Sequence, residues 1–140
     1  MKITQTSLIL ATLLVACLAS TAIAQVGSGA RRLYDPSTEA TVKGTVEKVT
    51  ELGEPARTGT HLTLRTNEQT YDVHVGPTGY VAANGFTFSA GDQIEVTGSK
   101  VQFDGVYAIV AREIKKDGKV LTLRDRQGIP SWSRGPRRTN

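Results

Sequence analysis

Two histidines, His61 and His74, are the side chains of this 140-residue chain whose spacing best supports joint chemistry. Each lies in a short segment of alternating apolar and polar residues, 61–66 (HLTLRT) and 70–76 (TYDVHVG). Such alternation is typical of half-buried β-strands. The Asn-Glu pair at 67–68 predicts a tight turn between them, so the two histidines are predicted on adjacent antiparallel strands.

The length of this turn decides which residues face each other. If Thr66 pairs with Gln69, His61 lies directly opposite His74, and the apolar residues of the two segments also match in pairs. Directly opposed side chains on antiparallel strands have Cβ atoms about 4.5–5.5 Å apart. A register shift of one residue would separate the two imidazoles.

Asp72 is predicted on the same outer face, diagonal to His61. Two imidazoles and a carboxylate can bind a divalent transition metal and leave coordination positions open. Two alternatives stay open: a pH-sensitive patch, because adjacent imidazolium ions repel each other, and ordinary polar residues of a half-exposed sheet. The candidate metal ligands are His61, Asp72 and His74, and the candidate ligand face comprises His61, Thr63, Arg65, Asp72 and His74.

Other kinds of chemistry have little support. A single cysteine excludes an intramolecular disulfide and a thiolate-cluster metal site. The sequence contains no phosphate-binding glycine motif and no HExxH zinc motif. No nucleophile elbow brings a serine, a histidine and an aspartate together. We therefore expect a protein that is not an enzyme and that needs no cofactor other than the metal considered above.

The first 24 residues have the features of a secretory signal peptide. Lys2 precedes an apolar run over 8–19, and small residues at Ala22 and Ala24 fit a cleavage after Ala24. The run is shorter than the roughly 20 residues that span a bilayer. An exported, periplasmic chain without a transmembrane helix is predicted. Alternatively, 14–17 (LVAC) is similar to a bacterial lipobox, in which case Cys17 would carry a lipid anchor.

The basic residues are concentrated at the C-terminal end. The chain has 17 Lys+Arg and 13 Asp+Glu, a formal net charge of +4. Residues 124–140 hold five arginines and one aspartate, so the preceding region is close to neutral. Nucleic-acid binding favours a basic folded face with aromatic rings for base stacking. The predicted ligand face has no Phe, Tyr or Trp, so we do not expect a nucleic-acid partner.

The rest of the pattern is that of a small β-protein. A short helix is predicted within 77–85, and Asp-Gly turns are predicted at 104–105 and 117–118. Strands are predicted over 41–50, 61–66, 70–76, 93–103, 106–115 and 119–124. A single helix after the third strand is the order of an OB-fold barrel. The predicted fold class is therefore all-β, an OB-fold-like barrel of five to six strands in the order β-β-β-α-β-β(-β).

This assignment divides the chain into a signal peptide (1–24), a flexible lead-in (25–39), the barrel (40–124) and an Arg/Pro/Gly-rich tail (125–140). Trp132 in the tail is expected to fold back on the barrel. The predicted inward-facing residues are Val42, Val46, Leu62, Leu64, Tyr71, Val73, Val75, Ile94, Val96, Ala108, Val110, Leu121 and Leu123.

Two segments carry a resemblance to a known group. Gly91-Asp92-x-Ile94-x-Val96-x-Gly98 and Leu121-Thr122-Leu123-Arg124-Asp125 resemble small exported OB-fold domains of bacteria. The resemblance extends over about 40–132. It is to the periplasmic bacterial OB-fold group and to uncharacterised relatives found beside magnetosome or redox proteins. It implies an architecture, and it implies no catalytic residues, because a shared fold does not license a shared function.

Three functions are compatible with these features. The first is a non-catalytic exported binding module that presents the ligand face and the 51–60 loop to a partner protein or a small ligand. The second is a periplasmic metal-binding protein that uses the cross-strand histidine pair. The third is an accessory subunit of a redox or organelle-associated complex.

Overall fold

The structure is a computed structural model that describes residues 33–133. The predicted signal peptide, Cys17 and the last seven residues lie outside this range. Short 3-10 turns at Pro36–Thr38 and Ser131–Ser133 flank the regular elements. These are β1 (Glu39–Leu52), β2 (Gly59–Arg65), β3 (Thr70–Pro77), α1 (Thr78–Ala83), β4 (Gln93–Phe103), β5 (Val106–Lys116) and β6 (Lys119–Thr122).

The strands form a closed barrel with one extra strand. Their order is β3-β2-β1-β4-β5-β6, and a parallel pairing of β3 with β5 closes the sheet. The Asp-Gly turns before β5 and before β6 have positive φ at both residues, which suits the twist of a two-residue hairpin. The predicted fold class, an OB-fold-like barrel with a helix after the third strand, is confirmed.

The long strand β1 pairs with two different strands along its length. Its first half pairs with β4 and its second half with β2. Gly44 lies where β1 passes from one neighbour to the other, and a Cβ there would overlap the carbonyl of Arg65. A β-bulge between Val46 and Lys48 then bends the strand, as bulges do at barrel corners.

The apolar residues predicted to point inward form most of the observed core, with one correction on β5. Ile109, Ala111 and Ile114 belong to the core cluster, whereas Ala108 and Val110 are buried outside it. The prediction that Ala108 and Val110 face inward was wrong. The run around them is apolar at every position, so alternation does not mark its inner face. Val42 is only partly buried against the core.

The pairing that closes the barrel is short. It joins Asp72, Val73 and His74 of β3 to Ala108, Ile109 and Val110 of β5; these six residues are called the seam below. Beyond the seam the guanidinium of Arg124 bridges the two strands, because its Nη1 donates hydrogen bonds to the carbonyls of Val75 and Ala111. Arg124 thus connects β3 to β5 where their backbones no longer pair.

Both flanking segments pack on the barrel within the described range. Tyr34 is buried, donates a hydrogen bond to Glu39 and lies against Gly128. Trp132 folds back as predicted, over Gly76 and 4.9 Å from the Arg124 guanidinium. No helix in residues 33–133 has the length and apolar character needed to cross a bilayer.

Candidate metal-binding site

The β2–β3 hairpin places the two histidines face to face. The backbone amide of Thr66 donates to the carbonyl of Gln69 at 3.0 Å and closes the turn. In the resulting register His61 lies opposite His74, and Thr63 lies opposite Asp72. The ring centroids of the two histidines are 4.5 Å apart and tilted by 56°. The turn length thus produces the juxtaposition that the sequence predicts.

The carboxylate of Asp72 lies between the two imidazoles. Its Oδ2 is 3.0 Å from Nε2 of His74, and its Oδ1 is 3.5 Å from Nδ1 of His61. One atom from each of the three side chains can be chosen so that all three lie within 4.8 Å of one another. The three side chains form a compact set of nitrogen and oxygen donors, called the His61–Asp72–His74 cluster below.

The cluster is partly sheltered from solvent. The side chains of His61, His74 and Asp72 are 23%, 28% and 41% exposed. Nδ1 of His61 is itself buried and has no hydrogen-bond partner in the described part of the chain, since its contact with Asp72 is too long for a good hydrogen bond. A buried nitrogen without a partner is costly, and a bound cation would satisfy it.

Burial also acts on the protonation of His74. Desolvation lowers the pKa of His74 below its ordinary value, although the nearby charge of Asp72 acts in the opposite direction. Smaller contributions from His61 and Arg124 act in the same direction as burial. The neutral imidazole is the form that binds metals, so the site favours the ligand-competent state of His74.

The other two residues of the predicted ligand face lie outside the cluster. Arg65 is at the far end of β2, where its Nε contacts Glu47 at 2.9 Å and its side chain is 65% exposed. Thr63 is half-buried opposite Asp72, and a threonine hydroxyl is not among the usual ligands of transition metals. Only three of the five candidate face residues are therefore brought together as donors.

The supports behind the cluster are not among the residues predicted from the sequence. Asp72 and His74 are both seam residues, opposite the buried Ala108 and Val110. Arg124, the first arginine of the basic C-terminal end, is only 5% exposed and donates a hydrogen bond to the carbonyl of Val75, the residue after His74. The apolar run on β5 was visible in the sequence, but nothing in the sequence indicated that Arg124 turns inward.

The loop and aromatic residues near α1 form a separate region. The loop between β1 and β2 covers 53–58, shorter than the predicted 51–60, because the two strands extend to Leu52 and from Gly59. Phe86 and Phe88 are buried in the core. They border a cavity of about 180 Å³ beside Thr60 and Val81, and none of the clustered donors lines it.

Comparisons with known proteins identify a family. No curated protein sequence matches the chain. Among solved structures, a second single-stranded DNA-binding protein (SSBb) from Mycobacterium smegmatis is 17% identical, with a TM-score of 0.47 over 57% of this chain and 88% of that chain. A small single-stranded DNA-binding protein from Streptomyces coelicolor is 15% identical, with a TM-score of 0.42 over 56% of this chain and 93% of that one. The sequence profile of the MamS/MamX magnetosome protein family matches residues 38–121, which include the whole His61–Asp72–His74 cluster. The chain therefore belongs to the MamS/MamX magnetosome protein family.

Proposed function

We propose that this protein is an exported, non-catalytic binding module that holds a divalent transition metal between His61, Asp72 and His74. One observation carries the proposal. One donor atom from each of the three side chains lies within 4.8 Å of the other two, and Nδ1 of His61 is buried without a hydrogen-bond partner among residues 33–133.

The geometry requires little adjustment to hold an ion. Donors bound to one zinc ion at ordinary bond lengths lie about 3–3.5 Å apart, so the longest donor–donor distance, up to 4.8 Å, would have to shorten by about 1.3–1.8 Å. Side-chain rotation can supply this movement, because all three residues project from the same face of one hairpin. The backbone is already paired on both sides at each of them: His61 between β1 and β3, and Asp72 and His74 between β2 and β5.

The donor set selects a class of metal. Imidazole nitrogen suits zinc, copper, nickel, cobalt and ferrous iron, whereas magnesium and calcium prefer sites made of oxygen alone. Three protein ligands leave at least one coordination position open. We therefore expect late first-row divalent ions to bind and magnesium and calcium to bind weakly.

The proposal is tested by titrating the mature, metal-stripped protein with Co²⁺ and Zn²⁺. The visible absorption of Co²⁺ reports its coordination, and calorimetry reports the affinity. We expect binding at micromolar concentration or tighter. The His61→Ala/His74→Ala double variant should weaken it at least about 100-fold, since changes even in groups behind the ligands cost about 10–100-fold.

Thr63→Ala is the matched control, because Thr63 lies on the same face beside Asp72 without belonging to the donor group. It should bind Co²⁺ like the unaltered protein. Asp72→Asn should change the Co²⁺ spectrum, because it removes the only anionic ligand. Full affinity in the double variant, or no binding at micromolar metal, would overturn the proposal.

Family membership favours a second candidate function. The matched profile describes magnetosome proteins. We therefore consider that the protein is an accessory subunit of an organelle-associated complex and that it docks through the ligand face of β2 and β3. Crosslinking in intact cells, followed by purification with an antibody against the native protein, tests it. A specific partner should be lost in a Thr63→Arg/Arg65→Glu variant. Recovery of the same partners with this variant would contradict docking on that face.

The proposed export is tested on the same native protein. Mass spectrometry of its N-terminus should find Gln25 as the first residue if cleavage follows Ala24. A lipid-modified Cys17 at the N-terminus would instead make the protein a membrane-anchored lipoprotein. Retention of Met1 would contradict export by either route.

A further inference from the structure

A second site lies at the end of the barrel away from α1. There a cavity of about 330 Å³ opens between the β2–β3 turn and the β4–β5 hairpin. Ligand pockets commonly begin at about this volume. The lining residues are Gln69, Tyr71, Lys100, Val101, Gln102 and Tyr107, and we call this the Lys100 pocket.

The charge of the Lys100 pocket is one-sided. The ammonium of Lys100 lies 5.3 Å from the centroid of the Tyr71 ring, and the lining contains no carboxylate. Within residues 33–133 Lys100 forms no ion pair, whereas Lys43, Lys115 and Lys116 each contact an acidic side chain. The pocket therefore carries a partly buried positive charge without a compensating negative charge from the described residues.

The remaining polar side chains of the pocket have no hydrogen-bond partner among the described residues. The side chains of Gln69, Gln102, Tyr71 and Tyr107 make no hydrogen bond to any other residue that the structure describes. Each of them can donate an N–H or O–H group. Together with Lys100 they form a set that suits a group with several acceptor oxygens and a negative charge.

The aromatic side chains add a second requirement. Tyr71 is buried and forms part of the pocket wall, while Tyr107 is 50% exposed. An exposed ring beside a cationic pocket offers a face for a planar group, because stacked aromatic pairs are favourable beyond the area that they bury. A ligand that matches both the positive charge of Lys100 and the exposed ring of Tyr107 has an aromatic ring joined to an oxyanion.

We propose that the Lys100 pocket binds a small aromatic oxyanion, with the oxyanion at Lys100 and the ring against Tyr107. This site is independent of the metal proposed above. Asp72 and His74 lie on the outer face of β3, whereas Tyr71 belongs to the core side of the same strand. Either proposal can therefore fail without affecting the other.

The test uses the mature protein kept metal-free with EDTA, so that no metal binds the anion. Phenyl phosphate, benzoate and inorganic phosphate are titrated separately by ¹H–¹⁵N NMR. Phenyl phosphate should bind more tightly than inorganic phosphate and shift the amides of residues 69–71, 100–102 and 107. Comparison of phenyl phosphate with benzoate distinguishes a phosphate group from a carboxylate.

Two variants separate the roles of charge and ring. Lys100→Gln should weaken phenyl phosphate binding about 10-fold or more, as expected for the loss of one charge-assisted hydrogen bond. Tyr107→Leu should remove the advantage of phenyl phosphate over inorganic phosphate. Lys48→Gln is the matched control, because Lys48 is exposed on β1 and does not line the pocket.

The variants must retain the β-sheet circular dichroism spectrum of the unaltered protein. Equal weakening by Lys100→Gln and Lys48→Gln would mean that only general charge attraction is measured, and it would overturn the proposal. Binding of inorganic phosphate as tight as that of phenyl phosphate would contradict the role of Tyr107. Amide shifts confined to other residues would also contradict the site.

Discussion

Glycine at position 98 is required by the close approach of two strands. Gly98 lies opposite Ala111 at the register shift between β4 and β5, and a Cβ there would overlap the carbonyl of Val110. Backbone atoms cannot move aside as the end of a flexible side chain can. The Gly98 of the family-like segment Gly91–Gly98 is therefore explained by packing of the backbone.

Gly98→Ala should lower the free energy of unfolding by about 3 kcal/mol, the upper end of the usual cost of overpacking. Gly79→Ala is the control, because Gly79 is in α1 with no atom near its missing Cβ. That change should stabilise the protein by about 0.5–1 kcal/mol. Urea unfolding measures both, and equal midpoints for the two variants would contradict this account.

The juxtaposition of the two histidines could be predicted because it depends only on residues that are close together in the sequence. A two-residue turn and two alternating segments determine the register, and His61 and His74 follow from it. The three grouped donors are the predicted metal ligands, whereas the position of Arg65 at the edge of the face could not be predicted. Its Nε contacts Glu47 of β1, and the sequence does not mark the bulge beside Glu47.

At the scale of elements, the parallel pair β3–β5 depends on one side chain as well as on backbone bonds. Only three residue pairs make the seam, and Arg124 extends the connection by bonding to Val75 and Ala111. Burial lowers the pKa of Arg124 to about 10, so its guanidinium remains charged at neutral pH. The Trp132 ring lies over the guanidinium, and this cation–π contact compensates part of the hydration that Arg124 loses on burial.

Arg124→Met should destabilise the protein by about 2–4 kcal/mol, because two hydrogen bonds from a charged donor are lost at a buried place. Hydrogen exchange should increase first at the amides of residues 72–74 and 108–111. Arg65→Gln, which removes an exposed ion pair, should cost less than about 1 kcal/mol. Unchanged exchange at the seam would show that Arg124 does not hold the two strands together.

A metal bound at the His61–Asp72–His74 cluster would connect His61 of β2 to Asp72 and His74 of β3. Because it binds the folded state, it should raise stability by about 2.7 kcal/mol at a free concentration 100 times its dissociation constant. Thermal unfolding with Zn²⁺ and then with added EDTA measures the effect. The His61→Ala/His74→Ala variant should show no Zn²⁺-dependent shift, and an equal shift in that variant would locate the binding elsewhere.

The order of the elements could be predicted from the sequence, whereas the inner face of β5 could not. Turn residues and one short helical segment mark the order of strands, and these signals are local. The residues around Ala108 and Val110 are apolar on both faces of β5, because side chains on the outer face are buried as well as those on the inner face. Which face is inner follows from the pairing with β3, a contact between segments distant in the sequence.

At the scale of the whole molecule, two carboxylates connect distant parts of the fold. Glu39 at the start of β1 accepts hydrogen bonds from Arg112 of β5 at 2.9 Å and from Tyr34. The hydrogen bond from Arg112 is the main cause that lowers the pKa of Glu39. Asp92 contacts Lys116 at 2.7 Å, and the hydrogen bond from Lys116 is the main cause that lowers its pKa.

Stability should therefore fall in acid. Both groups have lower pKa values in the folded chain than their ordinary values of 4.5 and 3.8, so the unfolded chain binds more protons as the pH decreases. Their contribution is complete above about pH 5 and is lost progressively below it. Urea midpoints between pH 7 and pH 3 should show this decline.

Glu39→Gln should be less stable at pH 7 and should lose less stability between pH 5 and pH 3 than the unaltered protein. Glu47→Gln is the control, because it removes an exposed carboxylate that pairs with Arg65 at the surface. It should leave the acid dependence unchanged. An acid decline of the same size in Glu39→Gln would exclude the Glu39–Arg112 contact as its source.

The packing of Tyr34 against Gly128 brings the segment before β1 onto the segment after β6. Tyr34 lies next to the first described residue, and Gly128 belongs to the segment that leads to Ser133. The two segments that flank the barrel are therefore fixed to each other as well as to the strands between them.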